Sequence, residues 1–268
     1  MGTLREIQLR LNAIKNIGKI TKSMKMIAST KVSKAQRAME SARTYGAASA
    51  SIYKNANTTP LENEDKVYIV SSSDRGLCGG IHSSVAKATR RLIAQDGTSS
   101  GIVVLGDKAK NQMSRTHRGD IQMSFNQIGK AIPTFAEACA AADTIKTSGL
   151  KFDTATIIYN EFTSAIAYEA TPINVYSSEA LKAADAFAAY EIDDDVLENY
   201  HEFLFANNIY WGLVEGHASE MSAKRTAMEN ATKNAGEMVD RLTMTYNRSR
   251  QAAITSELVD IITGASAL

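Results

Sequence analysis

Proline stands at only three positions in this 268-residue chain, Pro60, Pro133 and Pro172. Inside a helix proline removes a hydrogen bond and clashes with the preceding turn. Residues 1–59 and 173–268 are free of it. Both ends also carry apolar residues at spacings of three and four, the signature of one helical stripe. At the N-terminal end the series is Leu4, Ile7, Leu11, Ile14, Ile17, Ile20, Met24, Ile27, Val32, Ala35, Met39 and Ala42. It predicts a single helix from Leu4 to the breaker Asn55–Pro60, roughly 80 Å long at 1.5 Å per residue. At the C-terminal end Asp193, Asp194 and Asp195 offer N-caps. Leu204, Trp211, Val214, Ala218, Met221, Met228, Ala231, Ala235, Met238 and Leu242 follow, then Ile254, Leu258 and Ile261, with Gly264 as C-cap.

A helix over 196–263 spans roughly 100 Å, whereas a small domain is about 30 Å across. It must extend beyond any such domain. Each stripe would be exposed if its helix stood alone, and the two can bury each other. Their alanine content permits close approach. An antiparallel coiled coil of the two termini follows, with the middle of the chain reversing direction. The last turns, Ile254 to Ile262, are expected to run past the pair as a lone helix. The expected divisions are 1–58 and 195–264 as coiled-coil helices and 64–192 as a head.

The middle follows a different pattern. Strands are expected at Val67–Val70, Ile102–Leu105, Ile121–Phe125, Thr154–Phe162 and Ala167–Tyr176. Helices are expected at His82–Ala94, 108–115 and Thr134–Thr147. Strand and helix alternate before two strands adjoin, so the fold class is α/β plus long helices, with a mostly parallel, Rossmann-like sheet in the head.

Composition narrows the functional classes. Apolar residues at 44% and charged residues at 22% are ordinary for a globular protein, and no 18-residue apolar run exists. Cys78 and Cys139 have no metal-ligand spacing and read as small core residues. Glu6 stands where a myristoylation signal needs Ser or Thr. The helical pattern of the first 40 residues continues past any cleavage point, so it reads as mature structure. There is no GxxxxGK[ST], HExxH or GxSxG. Asp74–Gly80 (DRGLCGG) lies where a dinucleotide fold carries its glycine loop, but the spacing is not GxGxxG. It reads as a turn, with a small-molecule site as the alternative.

Residues 1–43 hold ten bases and two acids on a chain of net charge +1. Lys15, Lys19 and Lys22 share one helix face. A solvated helix accounts for such charge. So does an acidic partner, either nucleic acid or an acidic protein surface. No aromatic accompanies these bases, which argues against single-stranded nucleic acid.

Three segments carry a family resemblance. Ile20–Ala28 (ITKSMKMIA), Ser73–Gly80 (SDRGLCGG) and Tyr246–Leu258 (YNRSRQAAITSEL) with Asp260 and Gly264–Ser266 closely resemble, in order, the signatures of the gamma subunit of F-type ATP synthase. The segment from Glu257 to Ser266 resembles mitochondrial members of the fungal type more than bacterial ones. The resemblance implies a non-catalytic central rotor shaft that couples proton-driven ring rotation to ATP synthesis or hydrolysis on beta subunits. It implies no cofactor on this chain, with Mg-ATP and Mg-ADP held by the partners. Those partners are a hexamer of three alpha and three beta subunits, the delta and epsilon stalk subunits and the membrane c-ring. One copy serves each complex, nucleic acid is not a partner, and the location is the matrix side of the mitochondrial inner membrane, peripherally. Carried over by motif, Lys22, Met24 and Lys25 would pass an acidic beta-subunit loop. Arg250 and Gln251 would hydrogen-bond a beta-subunit catch loop, and Thr255 and Glu257 would modulate coupling. An apolar sleeve is expected around Ile254–Leu268. Tyr190–Asp195 is a candidate acidic patch.

Overall fold

The computed structural model describes residues 3–61, 65–97, 101–190 and 192–266. The chain divides into two compact units, Met1–Ala28 with Arg225–Leu268, and Ser29–Lys224. Helix α1 (Leu4–Asn55) and helix α6 (Asp194–Ser266) contribute to both.

In the first unit, Thr3 and Glu6 form a reciprocal cap. Thr3 N–H donates to Glu6 Oε2 at 2.9 Å and Glu6 N–H donates to Thr3 Oγ1 at 3.3 Å. The two helices run antiparallel. A Cβ built on Gly18 would lie 3.5 Å from that of Ala235, Thr232 Oγ1 donates to Thr21 Oγ1 at 2.8 Å, and Lys25 Nζ reaches Glu229 Oε1 at 2.6 Å. The seam positions on α1 are Leu4, Ile7, Leu11, Ile14, Gly18, Thr21, Lys25 and Ala28, alternating by three and four, with Gln8 and Met24 half-buried beside them. That is a strict heptad seam. It corrects the expected stripe: Ile17, Ile20 and Ile27 are 52%, 58% and 58% exposed. On α6 the seam takes Met228, Thr232, Ala235, Val239, Leu242, Tyr246, Ser249 and Ala253, and Met238 is exposed. The reason is period. Small or polar residues at Gly18, Thr21 and Thr232 let the backbones approach, and continuity of the seven-residue repeat outweighs the hydrophobicity of isoleucines one position away. Gly264 does not end α6, which continues to Ser266.

The second unit is a three-layer α/β structure. Its strands are β1 (Lys66–Ser71), β2 (Gly101–Leu105), β3 (Ile121–Phe125), β4 (Thr154–Phe162) and β5 (Tyr168–Val175), in the order β3-β2-β1-β4-β5. All pairings are parallel except the antiparallel β4–β5 pair. Helices α2 (Ile81–Asp96) and α3 (Asp107–Met113) cover one face, packing Val85, Ala86, Ala109 and Met113 on Tyr68, Val70, Ile102, Val104 and Ile158. The other face (Val67, Ile69, Val103, Leu105, Ala155, Ile157) receives α4 (Phe135–Thr147) together with Ile52 and Tyr53 of α1 and Leu204, Phe205, Ile209 and Leu213 of α6. A short helix, α5 (Ser178–Lys182), and a 3-10 turn at Phe187–Ala189 were not expected from the sequence. Within this unit α1 and α6 are again antiparallel, with Val32, Ala35, Met39 and Ala42 against Val214, Ala218 and Met221. Of the Tyr190–Asp195 patch, Glu191 lies outside the described residues, as do the side chains of Asp194 and Asp195.

Candidate functional site

All seven residues singled out for partner contact belong to the first unit. They fall in two bands on it. Lys22, Met24 and Lys25 sit on α1 where it pairs with residues near Glu229 and Thr232. Lys22 is exposed and lines a groove of about 320 Å³ with Lys15, Lys19, Gly18, Gly236 and Asp240. Met24 is half-buried, and Lys25 occupies a seam position with its ammonium on Glu229. That contact lowers the Glu229 carboxyl below the usual range. Arg250 and Gln251 lie some 20 residues further along α6, roughly 30 Å at the helical rise. The structure therefore does not bring the bands together.

Continuing the register of Gly18 on Ala235 and Thr21 on Thr232 puts Leu4 level with Ser249. Arg250 and Gln251 thus stand where pairing with α1 ends. Both are exposed, as are Thr255 and Glu257, and Thr255 Oγ1 donates back to the Gln251 carbonyl at 2.9 Å. Beyond Ala253 the seam positions would be Ser256 and Asp260. The apolar residues shift instead to Ile254, Leu258 and Ile261, one residue or about 100° round the helix. Ile261 is 68% exposed, and Ile254, Leu258, Val259 and Ile262 are exposed with it. The tail stripe is therefore not an unpaired remnant of the seam. It faces elsewhere.

The head loop is built as a structural turn. Asp74 accepts from Asp107 N–H at 2.8 Å and from Gln127 N–H at 2.5 Å. Leu77 and Gly79 take positive φ, and the Cys78 thiol donates to Gly76 O at 3.1 Å and Glu220 Oε1 at 3.4 Å. Cys78 is buried and its thiol is pushed up to about 12, chiefly by burial. Cys139 is half-buried against the main core and, like Cys78, free of disulfides. No metal-binding cluster occurs among the described residues, and none of their helices is long and apolar enough to cross a membrane.

Sequence reasoning missed the polar contacts of α6 in the second unit. Glu215, fully buried, pairs with Arg43 and accepts from Trp211 Nε1 at 2.6 Å and Phe162 N–H at 3.1 Å. His217, Ser219, Glu220 and Ser222 are also buried. Burial, with Lys31 and Lys224 nearby, lowers the His217 imidazole to about 4. The available signal was Gly212 and Gly216, four apart. A Cβ on Gly212 would sit 3.2 Å from Ile157 Cγ2, so the glycines let α6 lie close on the sheet.

One unit with a doubly wound sheet and another made of paired antiparallel terminal helices together define a class of α/β proteins with long helical ends. The sequence profile described as ATP synthase matches residues 3–268. The mitochondrial ATP synthase gamma subunit of Yarrowia lipolytica is 46% identical over all of this chain and 92% of its own length. That of Rattus norvegicus is 46% identical over the whole of both chains. Among solved structures, a chain of the Tetrahymena thermophila mitochondrial ATP synthase central stalk and c-ring has a TM-score of 0.66 at 26% identity, covering 79% of this chain and 99% of that one. The chain belongs to the ATP synthase gamma-subunit family.

Proposed function

We propose that this chain is the central rotor shaft of a proton-translocating F-type ATP synthase, one copy per complex, itself non-catalytic. The observation that carries the proposal is gamma-subunit likeness along the full chain. On this reading it sits peripherally on the matrix side of the mitochondrial inner membrane. It turns within a ring of three alpha and three beta subunits. Mg-ATP and Mg-ADP belong to those partners, and delta, epsilon and the c-ring bind the head.

The mechanism is energetic. Three chemically identical catalytic subunits must differ in affinity at any instant. A shaft without threefold symmetry contacts each differently and biases each toward a different conformation. Rotation moves those biases around the ring. Contacts made by solvated polar side chains exchange readily with water, so no angular position is held too tightly. Exposed Lys22, Arg250, Gln251, Thr255 and Glu257 have that character. Lys25 would contribute through the Lys25–Glu229 pair, and Met24 through its half-exposed thioether. The reoriented stripe Ile254–Leu258–Ile261 suits a close apolar sleeve at the end of the shaft.

Replacing Arg250 and Gln251 with Ala in a reconstituted complex is expected to lower torque and ATP turnover together. Unchanged values remove the catch-loop assignment. A cysteine placed at Ser266 should be protected from thiol reagents in the assembled complex and react freely in the isolated chain. Equal reactivity in both counts against the sleeve.

A further inference from the structure

In an open doubly wound sheet, ligands bind at the carboxyl ends of the strands, where the strand order reverses. Here that point lies between β1 and β4, because β2 and β3 extend the sheet on one side of β1 and β4 and β5 on the other. The carboxyl ends of both strands, Ser71–Ser73 and Asn160, line a cavity of about 20 Å³ together with Ile81 and His82 at the start of α2. The cavity is no larger than one or two water molecules require. What fills the rest of the crevice is α6, through Leu213, Gly216, His217 and Glu220.

Glu220 is 3% exposed, and its carboxyl accepts from the Cys78 thiol at 3.4 Å, with Ser73 lining the same cavity. Gly129, at φ +82°, leaves room for it: a Cβ there would lie 2.7 Å from Ser73 Cβ and 3.3 Å from Glu220 Oε2. Burial pushes the Glu220 carboxyl above the usual carboxylate range, and Ser73, Cys78, Lys224 and Arg75 oppose that rise. His217 Nδ1 is buried without a hydrogen-bond partner and lines the same cavity. These are the parts of a site for a carboxyl group: a side-chain donor, a buried imidazole nitrogen without a partner, a glycine cradle and a place at a helix start.

We propose that the ligand crevice of this head is a carboxylate site filled from within, with Glu220 of α6 as its built-in ligand. The side chain enters where a separate small anion would otherwise bind. Neighbouring bonds key the same stretch of helix to the sheet. Ser219 Oγ donates to Asn160 O at 2.9 Å, and Ser222 Oγ donates to Ala165 O at 2.6 Å. An apolar helix–sheet contact allows a helix to roll, whereas directional bonds at successive positions fix its angle. That fixed angle bears on torque only on the rotor reading; the occupied site does not depend on it.

The test uses the full chain alone, so its outcome is independent of rotation. Glu220→Ala removes a CH2–COO fragment the size of acetate. Its melting temperature should fall below that of the natural chain. Acetate should then raise it saturably, by about 3–5 °C at tenfold excess over Kd, beyond what sodium chloride does at equal ionic strength. The natural chain and Glu220→Gln, whose crevices are filled, should show no such gain. If Glu220→Ala does not fold unaided, refolding yield becomes the readout, with an expected rise of several-fold in acetate and none in chloride. Equal effects of acetate and chloride on Glu220→Ala, in melting or in yield, overturn the proposal.

Discussion

Glu215 has almost no contact with water, yet it carries a carboxylate that Arg43, Trp211 and the Phe162 amide share between them. Removing one partner of such a group strands a buried charge, which is costlier than losing an ordinary surface pair. Arg43→Ala should destabilise the chain by about 3 kcal/mol in denaturant unfolding. Replacing Glu215 with Met in the Arg43→Ala background should recover most of that loss, because the stranded charge is gone. His217 gives a second residue-level expectation. It is held neutral in the fold, at about 4, and takes up a proton more readily once unfolded, near 6.5. Its contribution is therefore complete above pH 6.5 and is lost as pH falls toward 4. Between those values the chain should lose up to about 3 kcal/mol on this account. His217→Gln should flatten the stability–pH curve across that window.

At the scale of elements, two glycines of α1 have opposite meanings. Both lie inside a helix, where glycine costs roughly 1 kcal/mol relative to alanine. A Cβ on Gly18 would meet Ala235 Cβ at 3.5 Å, an ordinary contact, so Gly18→Ala should stabilise the first unit by about 0.5–1 kcal/mol. A Cβ on Gly46 would lie 2.8 Å from the Trp211 ring. Gly46→Ala should therefore cost about 2 kcal/mol despite its better helix propensity. Thermal melts of the two variants should move in opposite directions, and movement in the same direction would contradict the close approach of α1 to Trp211. The same contrast explains the seam. Small residues are tolerated where backbones meet, and isoleucines one position away remain outside.

For the whole molecule, stability and function separate along the chain. The turns after Ala253 are exposed on every face among the described residues, so they contribute little to folding. Truncation after Ala253 should leave the melting temperature of the free chain within about 2 °C of its original value. On the rotor reading, the same truncation should impair coupling in the assembled complex. A large loss of stability on truncation would mean that the tail packs on its own chain.

The sequence alone determined the types of the long elements, though not α5 or the 3-10 turn. Long proline-free stripes dictate helices because every residue added to a helix gains a local hydrogen bond, and short apolar runs bounded by turn residues dictate strands for equally local reasons. It determined the family too, since motifs are linear. It placed Arg250, Gln251, Thr255 and Glu257 on an exposed helix, where they stand. What it left undecided was angular. Ile17 and Gly18 are neighbours in the chain, and only the packed pair determines which of them faces α6. The roles of Arg43, Glu215, His217 and Glu220 were equally out of reach. Each depends on residues more than 50 positions away, and a buried charge looks like a solvated one until its partners are known. Local spacing encodes local hydrogen bonds, whereas seams, buried ion pairs and an occupied crevice exist only once distant segments have met.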